Sequence, residues 1–274
     1  MRDIRISRLE VSRLKNYHTH TFRCKHAEGD AIDYAQGALR KGITVLGMTD
    51  HTALPDDRWL GMRMAYSELS SYVEAIERAQ TYYPELTILK GMECEWSQDY
   101  QQFFVDVLLG EYNFDYLILG CHFFPYQGSF LSSHSGLYNE KRLVAYTDYL
   151  IKSMESKLFA FVAHPDLFGL SYLTWDANTE AAARDILSAA QELQIPLEIN
   201  GYGLMRKIIE TPEGSRSAYP WLNFWEIARD YAVTVVVNSD AHHPRDLDLG
   251  LREGLEIVET LGLQLADLEH LQRR

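Results

Sequence analysis

The run Ile43-Thr44-Val45-Leu46-Gly47-Met48-Thr49-Asp50-His51 is an apolar segment that stops abruptly at a carboxylate and an imidazole. Length and β-branched content make Ile43 to Asp50 read as a buried strand. The amphipathic stretch before it, Ala31 to Lys41, reads as a helix. Outward from this pair the same alternation recurs. Further strands are expected over Lys15 to His20, Thr87 to Glu93, Tyr116 to His122, Phe159 to His164, Pro196 to Asn200 and Thr234 to Asp240. Helical patterns fall over Ser67 to Tyr82, Lys141 to Lys157, Thr179 to Gln194, Asn223 to Tyr231 and Glu253 to Leu261, with a short segment over Gln101 to Leu109. Strands alternating with helices imply a parallel sheet. Seven such strands in one chain of 274 residues imply an α/β fold closed, or nearly closed, into a barrel. A doubly wound open sheet is the alternative. Neither GxGxxG nor GxxxxGK[ST] follows a strand, so the two common nucleotide-phosphate loops are missing.

Composition narrows the class. Hydrophobic residues at 46% and charged residues at 24% give the balance of an ordinary globular domain. A single domain over 1–274 is expected, with 1–15 as a lead-in. No apolar run approaches the roughly 18 residues of a membrane span. The basic lead-in lacks the apolar stretch of a signal peptide, so a cytoplasmic location and no membrane partner are expected. The formal net charge of -13 argues against a nucleic-acid surface. Cys24, Cys94 and Cys121 are few and widely spaced, which suits buried thiols rather than disulfides or a thiolate metal knot.

The chemistry lies in what ends each strand. The first ends in His18-Thr19-His20, the second in Asp50-His51, the third in Glu93, the fourth in His122, the fifth in His164 and the seventh in Asp240-Ala241-His242. In α/β barrels the loops after the strands converge on one face, so ligands scattered in sequence become neighbours there. Residues i and i+2 of a strand share a side, which lets His18 and His20 grip one ion, and Asp240 and His242 likewise if the strand extends that far. Each of these residues alone reads as a structural side chain. Most of the ten histidines gathering at strand ends does not. Imidazole and carboxylate donors suit zinc, iron or manganese. His26, in the loop after the first strand, is a less obvious member. His134, His243 and His270 read as structural or solvent-facing, although the loop of His134 follows His122 on the same face. Periodicity does not choose between Glu93 and Glu95.

The motifs Tyr17-His18-Thr19-His20-Thr21, Thr49-Asp50-His51, Gly91-Met92-Glu93, Gly120-Cys121-His122, Ala163-His164-Pro165 and Asn238-Ser239-Asp240-Ala241-His242 resemble those of the PHP family, which joins polymerase-associated domains and histidinol phosphatases. The resemblance runs from about Asn16 to about Gly250. It implies a distorted (β/α)7 barrel with two or three divalent ions. It assigns His18, His20, Glu93 and Asp240 to one ion, with Glu93 bridging to a second held by His122 and His164. His26, His51 and His242 take the third. Gly91 marks Glu93 rather than Glu95 as the ligand. Glu198 to Lys207, Tyr219-Pro220, Arg23 to Gly29 and Trp59 to Met64 with Arg63 resemble the histidinol-phosphatase branch, where the position of Arg206 is expected to hold the substrate phosphate. Phe123 to Gly136 departs from the branch pattern, in a loop placed to read the leaving alcohol.

The resemblance therefore implies hydrolysis of a small phosphate monoester, most directly L-histidinol phosphate in histidine biosynthesis. Metal lowers the pKa of bound water to about 7, and a hydroxide bridging two ions is the expected nucleophile. Arg206, whose planar fork suits phosphate, and the ions, including that at His242, would hold the nonbridging oxygens. Three divalent ions would also supply the local positive charge that an acidic chain lacks. The rivals are a phosphatase for a nucleotide or sugar phosphate, an amidohydrolase-type metal hydrolase with eight strands and a bridging lysine, and a metal-binding module without activity.

Overall fold

The computed structural model describes residues 14–206 and 208–272, so nearly all of the lead-in expected over 1–15 lies outside it. Along the chain, β1 (Leu14–Asn16) leads to α1 (Ala31–Lys41), β2 (Ile43–Met48), α2 (Leu69–Tyr82) and β3 (Thr87–Glu95). A short α3 (Gln101–Phe103) runs into a π-helix (Phe104–Glu111) before β4 (Tyr116–Gly120). The antiparallel hairpin of β5 (Phe123–Tyr126) and β6 (Ser129–Ser132) follows, then α4 (Glu140–Met154) and α5 (Ala177–Leu193). The chain continues through β7 (Leu197–Asn200), α6 (Gly201–Arg206) and a second hairpin of β8 (Ile208–Thr211) and β9 (Gly214–Ser217). It finishes with α7 (Leu222–Ala228), β10 (Thr234–Asn238), α8 (Leu251–Leu261) and β11 (Gln264–Leu265).

The barrel follows from the pairing. β1 to β4 pair in parallel in chain order. Leu119 bridges to Val162 and Val162 to Leu197, so the 160–163 segment joins β4 to β7. β7 pairs with β10, and Thr19 bridges to Ala241 to close the ring. Among the described residues, seven parallel segments linked in this way therefore surround one axis. The closure is uneven. β11 pairs with the start of β10. Higher up, the Asn238 side chain, not a backbone carbonyl, accepts from the Tyr17 N–H at 2.8 Å. This seam is the distortion in the barrel.

Two apolar layers hold the ring. The larger packs the helices against the outside of the strands. The other fills the interior with Tyr17, Val45, Leu89, Tyr116, Ile118, Phe161 and Val236, plugged at the N-terminal end by Leu268 and Leu271. The interior is a packed core rather than a channel, which leaves the C-terminal face for chemistry. Tyr116 crosses this interior to donate to the Tyr17 carbonyl at 2.7 Å. A Cβ on Gly47 would stand 1.8 Å from the Tyr116 hydroxyl and 2.9 Å from the Tyr17 carbonyl oxygen. Gly47→Ala is therefore expected to lower stability by about 1–3 kcal/mol through overpacking, read from urea unfolding midpoints. A midpoint equal to wild type would contradict the tight crossing.

α1 occupies the residues read from the sequence because both ends are marked. Asp30 caps it in a reciprocal box with Asp33, and Gly42 ends it in left-handed geometry. Other expectations need correction. The strand expected over Phe159 to His164 narrows to a single bridging residue, Val162, although Ala160 and Ala163 still donate to Leu117 and Leu119. His164, at φ 33, turns the chain out of extended geometry. β1, β4 and β10 stop at Asn16, Gly120 and Asn238, short of the histidines and Asp240 assigned to them, while β3 runs on to Glu95. The two hairpins and α6 had no counterpart in the sequence reading. Among the described residues no helix is long and apolar enough to cross a membrane.

Candidate metal centre

The C-terminal ends of the strands deliver the predicted side chains to one place. His18 Nε2 and His20 Nε2 lie 3.0 Å apart, with Asp240 Oδ1 2.9 Å from His20 Nε2 and 3.4 Å from His18 Nε2. Glu93 stands between the groups. Its Oε2 is 2.8 Å from His51 Nδ1, and its Oε1 is 3.0 Å from His164 Nε2 and 3.6 Å from His122 Nε2. His26, His51 and His242 complete a third group, and each group keeps its donor atoms within 4.8 Å of one another. All nine residues expected at the metal site are thus brought together. His26 is exposed and most of the others buried. Arg206 ends α6, and its side chain lies outside the described residues.

The geometry asks for cations. His51 Nδ1 and Glu93 Oε2 are close, yet neither atom has a hydrogen-bond partner among the described residues, and Asp240 Oδ1 is also orphaned. Buried donors and acceptors are normally paired. Lone pairs that approach without facing one another converge on a common point, as ligands do around an ion. His18 and His20 also meet Nε2 to Nε2, where two lone pairs would repel unless an ion or proton lies between them. The residues therefore fit divalent metal ions of the class that takes nitrogen and oxygen donors.

Four of the ring nitrogens that face away from the centre are held from behind. His18 Nδ1 is 2.8 Å from Glu198 Oε1, and His122 Nδ1 is 2.6 Å from Glu95 Oε1. His26 Nδ1 and His242 Nδ1 reach the backbone carbonyls of Cys24 and Asp240 at 2.7 and 2.9 Å. Each contact fixes a tautomer with Nε2 turned inward, as metal-binding imidazoles require. Asp50 accepts from the Thr21 N–H and hydroxyl and stands 3.7 Å from His20 Nδ1. Glu198, Glu95, Asp50 and Asn200 were not singled out as supports by the sequence. The available signal was a carboxylate or amide near the end of an otherwise apolar strand, as in Leu197-Glu198-Ile199-Asn200.

Backbone conformation corrects the strand argument for Asp240. With φ 52 it sits in left-handed geometry, so Asp240 and His242 leave a turn rather than an extended strand. Left-handed geometry at a non-glycine residue costs energy and clusters at functional sites. Gly120 makes room here too, since a Cβ would meet Glu93 Oε1 at 2.6 Å and His122 Cε1 at 2.8 Å.

Electrostatics follow the packing. Burial pushes the Glu93 carboxyl up, but His122, His18, His51 and a hydrogen bond from His164 outweigh it and hold the group well below the usual range. Asp240 is likewise depressed against its burial by His18, His20 and His242. Burial drives His51 well down and His242 to about 3, leaving neutral imidazoles with lone pairs to offer. His18 moves the other way. Burial lowers it, but Asp240, Glu198 and Glu93 together raise it well above its ordinary value. These carboxylates demand positive charge, for which protons and metal ions compete. All three cysteines are free and buried, as read from the sequence.

Around the rim, His134 stacks on His122 with ring centroids 5.6 Å apart, Tyr202 lies 5.1 Å from His242, and Tyr219 lies 5.9 Å from His164. Trp59 stacks on Phe123 at 4.2 Å. His243 is bound elsewhere, 3.4 Å from Glu28 and capping the turn at Arg245.

A seven-segment parallel barrel with histidine and carboxylate donors at its C-terminal face defines an α/β-barrel protein built around a metal site. The chain belongs to the PHP domain family, whose model matches residues 16–201. It is 29% identical over 263 residues, covering 92% of this chain and 95% of the relative, to a Deinococcus radiodurans protein named "Probable histidinol-phosphatase". It is 25% identical over 268 residues to the histidinol-phosphatase of Bacillus subtilis, covering 87% of this chain and 97% of that one. Its fold matches, with a TM-score of 0.67 and 17% identity, the crystal structure of histidinol phosphate phosphatase from Lactococcus lactis complexed with zinc, L-histidinol and phosphate, over 93% of this chain and 96% of that one.

Proposed function

We propose that the protein is a single-domain metal-dependent phosphatase that hydrolyses L-histidinol phosphate to L-histidinol and phosphate. The observation that carries the reading is the convergence of nine histidine and carboxylate side chains, Glu93 among them, with orphaned atoms of Glu93, His51 and Asp240 at the centre. His18, His20, Glu93 and Asp240 would hold one ion, Glu93, His122 and His164 a second, and His26, His51 and His242 a third. Zinc, iron and manganese all suit these donors. Divalent ions there would activate water at neutral pH and neutralise charge on the phosphoryl oxygens. Glu198 and Glu95 fix imidazole direction, and Arg206, on the loop side of β7, would take the phosphate through its fork. Relatives of near-equal length that carry the histidinol-phosphatase name support the substrate.

The amidohydrolase rival fits poorly. A glutamate rather than a lysine stands at the centre, among the histidine nitrogens. Phosphate release from L-histidinol phosphate should reach a kcat/KM above about 10⁴ M⁻¹s⁻¹ and vanish in chelator-stripped protein. Rates no better than those on a panel of nucleotide and sugar phosphates would overturn the substrate assignment and turn attention to the β5–β6 hairpin, where the sequence departs from the histidinol-phosphatase pattern. No metal-dependent release from any ester would overturn the enzyme reading.

A further inference from the structure

Behind the centre lies a buried arginine that the phosphatase reading does not use. Arg63, in the loop between β2 and α2, is 1% exposed. Its Nε and Nη1 have no hydrogen-bond partner among the described residues. Its one acidic neighbour among the described residues is Glu95, with Nη2 3.5 Å from Oε1. Glu95 is 4% exposed and is already held by other donors. It accepts from His122 Nδ1 at 2.6 Å, from the His122 N–H at 3.1 Å and from the Phe123 N–H at 3.3 Å. The loop after β2, the end of β3 and the residue after β4 are thus tied sideways by one chain of contacts.

An arginine kept only for packing would spend its fork on carbonyls, as Arg216 does with Ser217, Ala218 and Gly169. Among the described residues, Arg63 Nε and Nη1 make no such contacts. It brings an unshared positive charge to a buried carboxylate, where an uncompensated charge is costly. Trp59 covers it, with its ring centroid 5.0 Å from the guanidinium, and reaches that place at φ 63. A bulky residue in left-handed geometry is strained, so the loop holds the cover at a cost.

We propose that Arg63 is a positioning residue for the metal ligand His122, acting through Glu95. It fixes the carboxylate, the carboxylate fixes Nδ1, and Nε2 is thereby aimed at the ion shared with Glu93 and His164. The inference rests on the reading of His122 as a ligand. Carboxylates behind metal-bound histidines typically carry 10–100-fold in affinity or activity. Arg63 deepens that support by one layer.

The test uses the full-length manganese-loaded protein and the variants R63M, R63K, E95Q and R63M/E95Q. Metal affinity is measured by chelator competition, kcat and KM on an aryl phosphate, and folding by circular dichroism. R63M is expected to weaken one bound ion by roughly 10–100-fold and to lower kcat more than KM changes. R63K should recover most of that loss. R63M/E95Q should be no worse than E95Q alone. Wild-type metal affinity and kcat in a folded R63M overturn the proposal and leave Arg63 a packing residue. Additive losses in the double variant overturn the route through Glu95. Should R63M fail to fold, E95Q and R63K decide: weakened metal in E95Q with near-normal binding in R63K supports the proposal, and wild-type binding in E95Q overturns it. A wild type that binds no divalent ion removes the metal reading itself, an outcome separate from any of these.

Discussion

Glu93→Gln is expected to strip bound metal and to lower phosphate release on the order of 10³-fold, which corresponds to several kcal/mol of lost charge stabilisation. The carboxylate is the hub of the centre. Its two oxygens lie within 3.6 Å of nitrogen atoms from His18, His20, His51, His122 and His164. Glutamine has nearly the same shape, so the packing around a residue that is 1% exposed survives. The change removes one formal charge and replaces one oxygen with an amide NH₂. Either orientation of the amide points N–H groups at imidazole lone pairs and leaves a single oxygen where two ions would share two. Metal content after dialysis, set beside phosphate release at saturating manganese, checks this. A variant that keeps its full complement of ions and its rate would show that Glu93 is not the bridge, and the assignment of two neighbouring ions would fall with it.

What the sequence made legible, and what it hid, divides along physical lines. Local signals that reported directly on their own residues were readable. Asp30 and Gly42 fix both ends of α1, and the apolar run from Ile43 to Met48 is buried almost throughout, with only Thr44 exposed. The ligand types after each strand were readable because barrel topology sends every strand end to the same face, so no detailed geometry was needed. The fifth strand was not readable at its true length. His164 breaks the extended backbone at φ 33, and a histidine at positive φ has no signature in an apolar pattern. Asp240 and His242 come together through the turn that φ 52 at Asp240 makes, not through a strand pleat, and a residue pattern carries no sign of that turn. Between Glu93 and Glu95, periodicity was silent because both belong to β3 and both are buried. Only the third dimension separates them, with Glu93 among the histidines and Glu95 behind His122. The hairpin from Phe123 to Ser132 was hidden for another reason: its exposed edge carries mixed polar and aromatic residues with no clean alternation.

Glu198 shows how much a supporting residue can matter, and Glu198→Gln is expected to damage stability and metal binding together. The side chain is fully buried within β7. Oε1 accepts from His18 Nδ1 at 2.8 Å and from Asn238 Nδ2 at 2.9 Å. Oε2 accepts from the His164 N–H at 3.1 Å and from Asn200 Nδ2 at 2.8 Å. Four donors thus meet four acceptor sites, and they come from the chain after β1, from β10, from the segment after Val162 and from β7 itself. Asn200 passes the connection on to Asp240 Oδ2 at 3.1 Å. Glutamine cannot satisfy this arrangement in either orientation. With its NH₂ toward His18 and Asn238 it sets donors against donors there; flipped, it sets them against His164 and Asn200. Each buried donor left without an acceptor costs about 1–3 kcal/mol, so the unfolding midpoint should fall clearly. His18 would also lose the contact that directs its Nε2 inward, which predicts a further loss of roughly 10–100-fold in metal affinity. Chelator competition and thermal unfolding, run with and without manganese, separate the two effects. Loss of stability alone, with wild-type metal affinity, would make Glu198 a strut of the barrel seam. Loss of both would show that the closure of the ring between β1 and β10 and the aim of the first metal ligand depend on the same carboxylate.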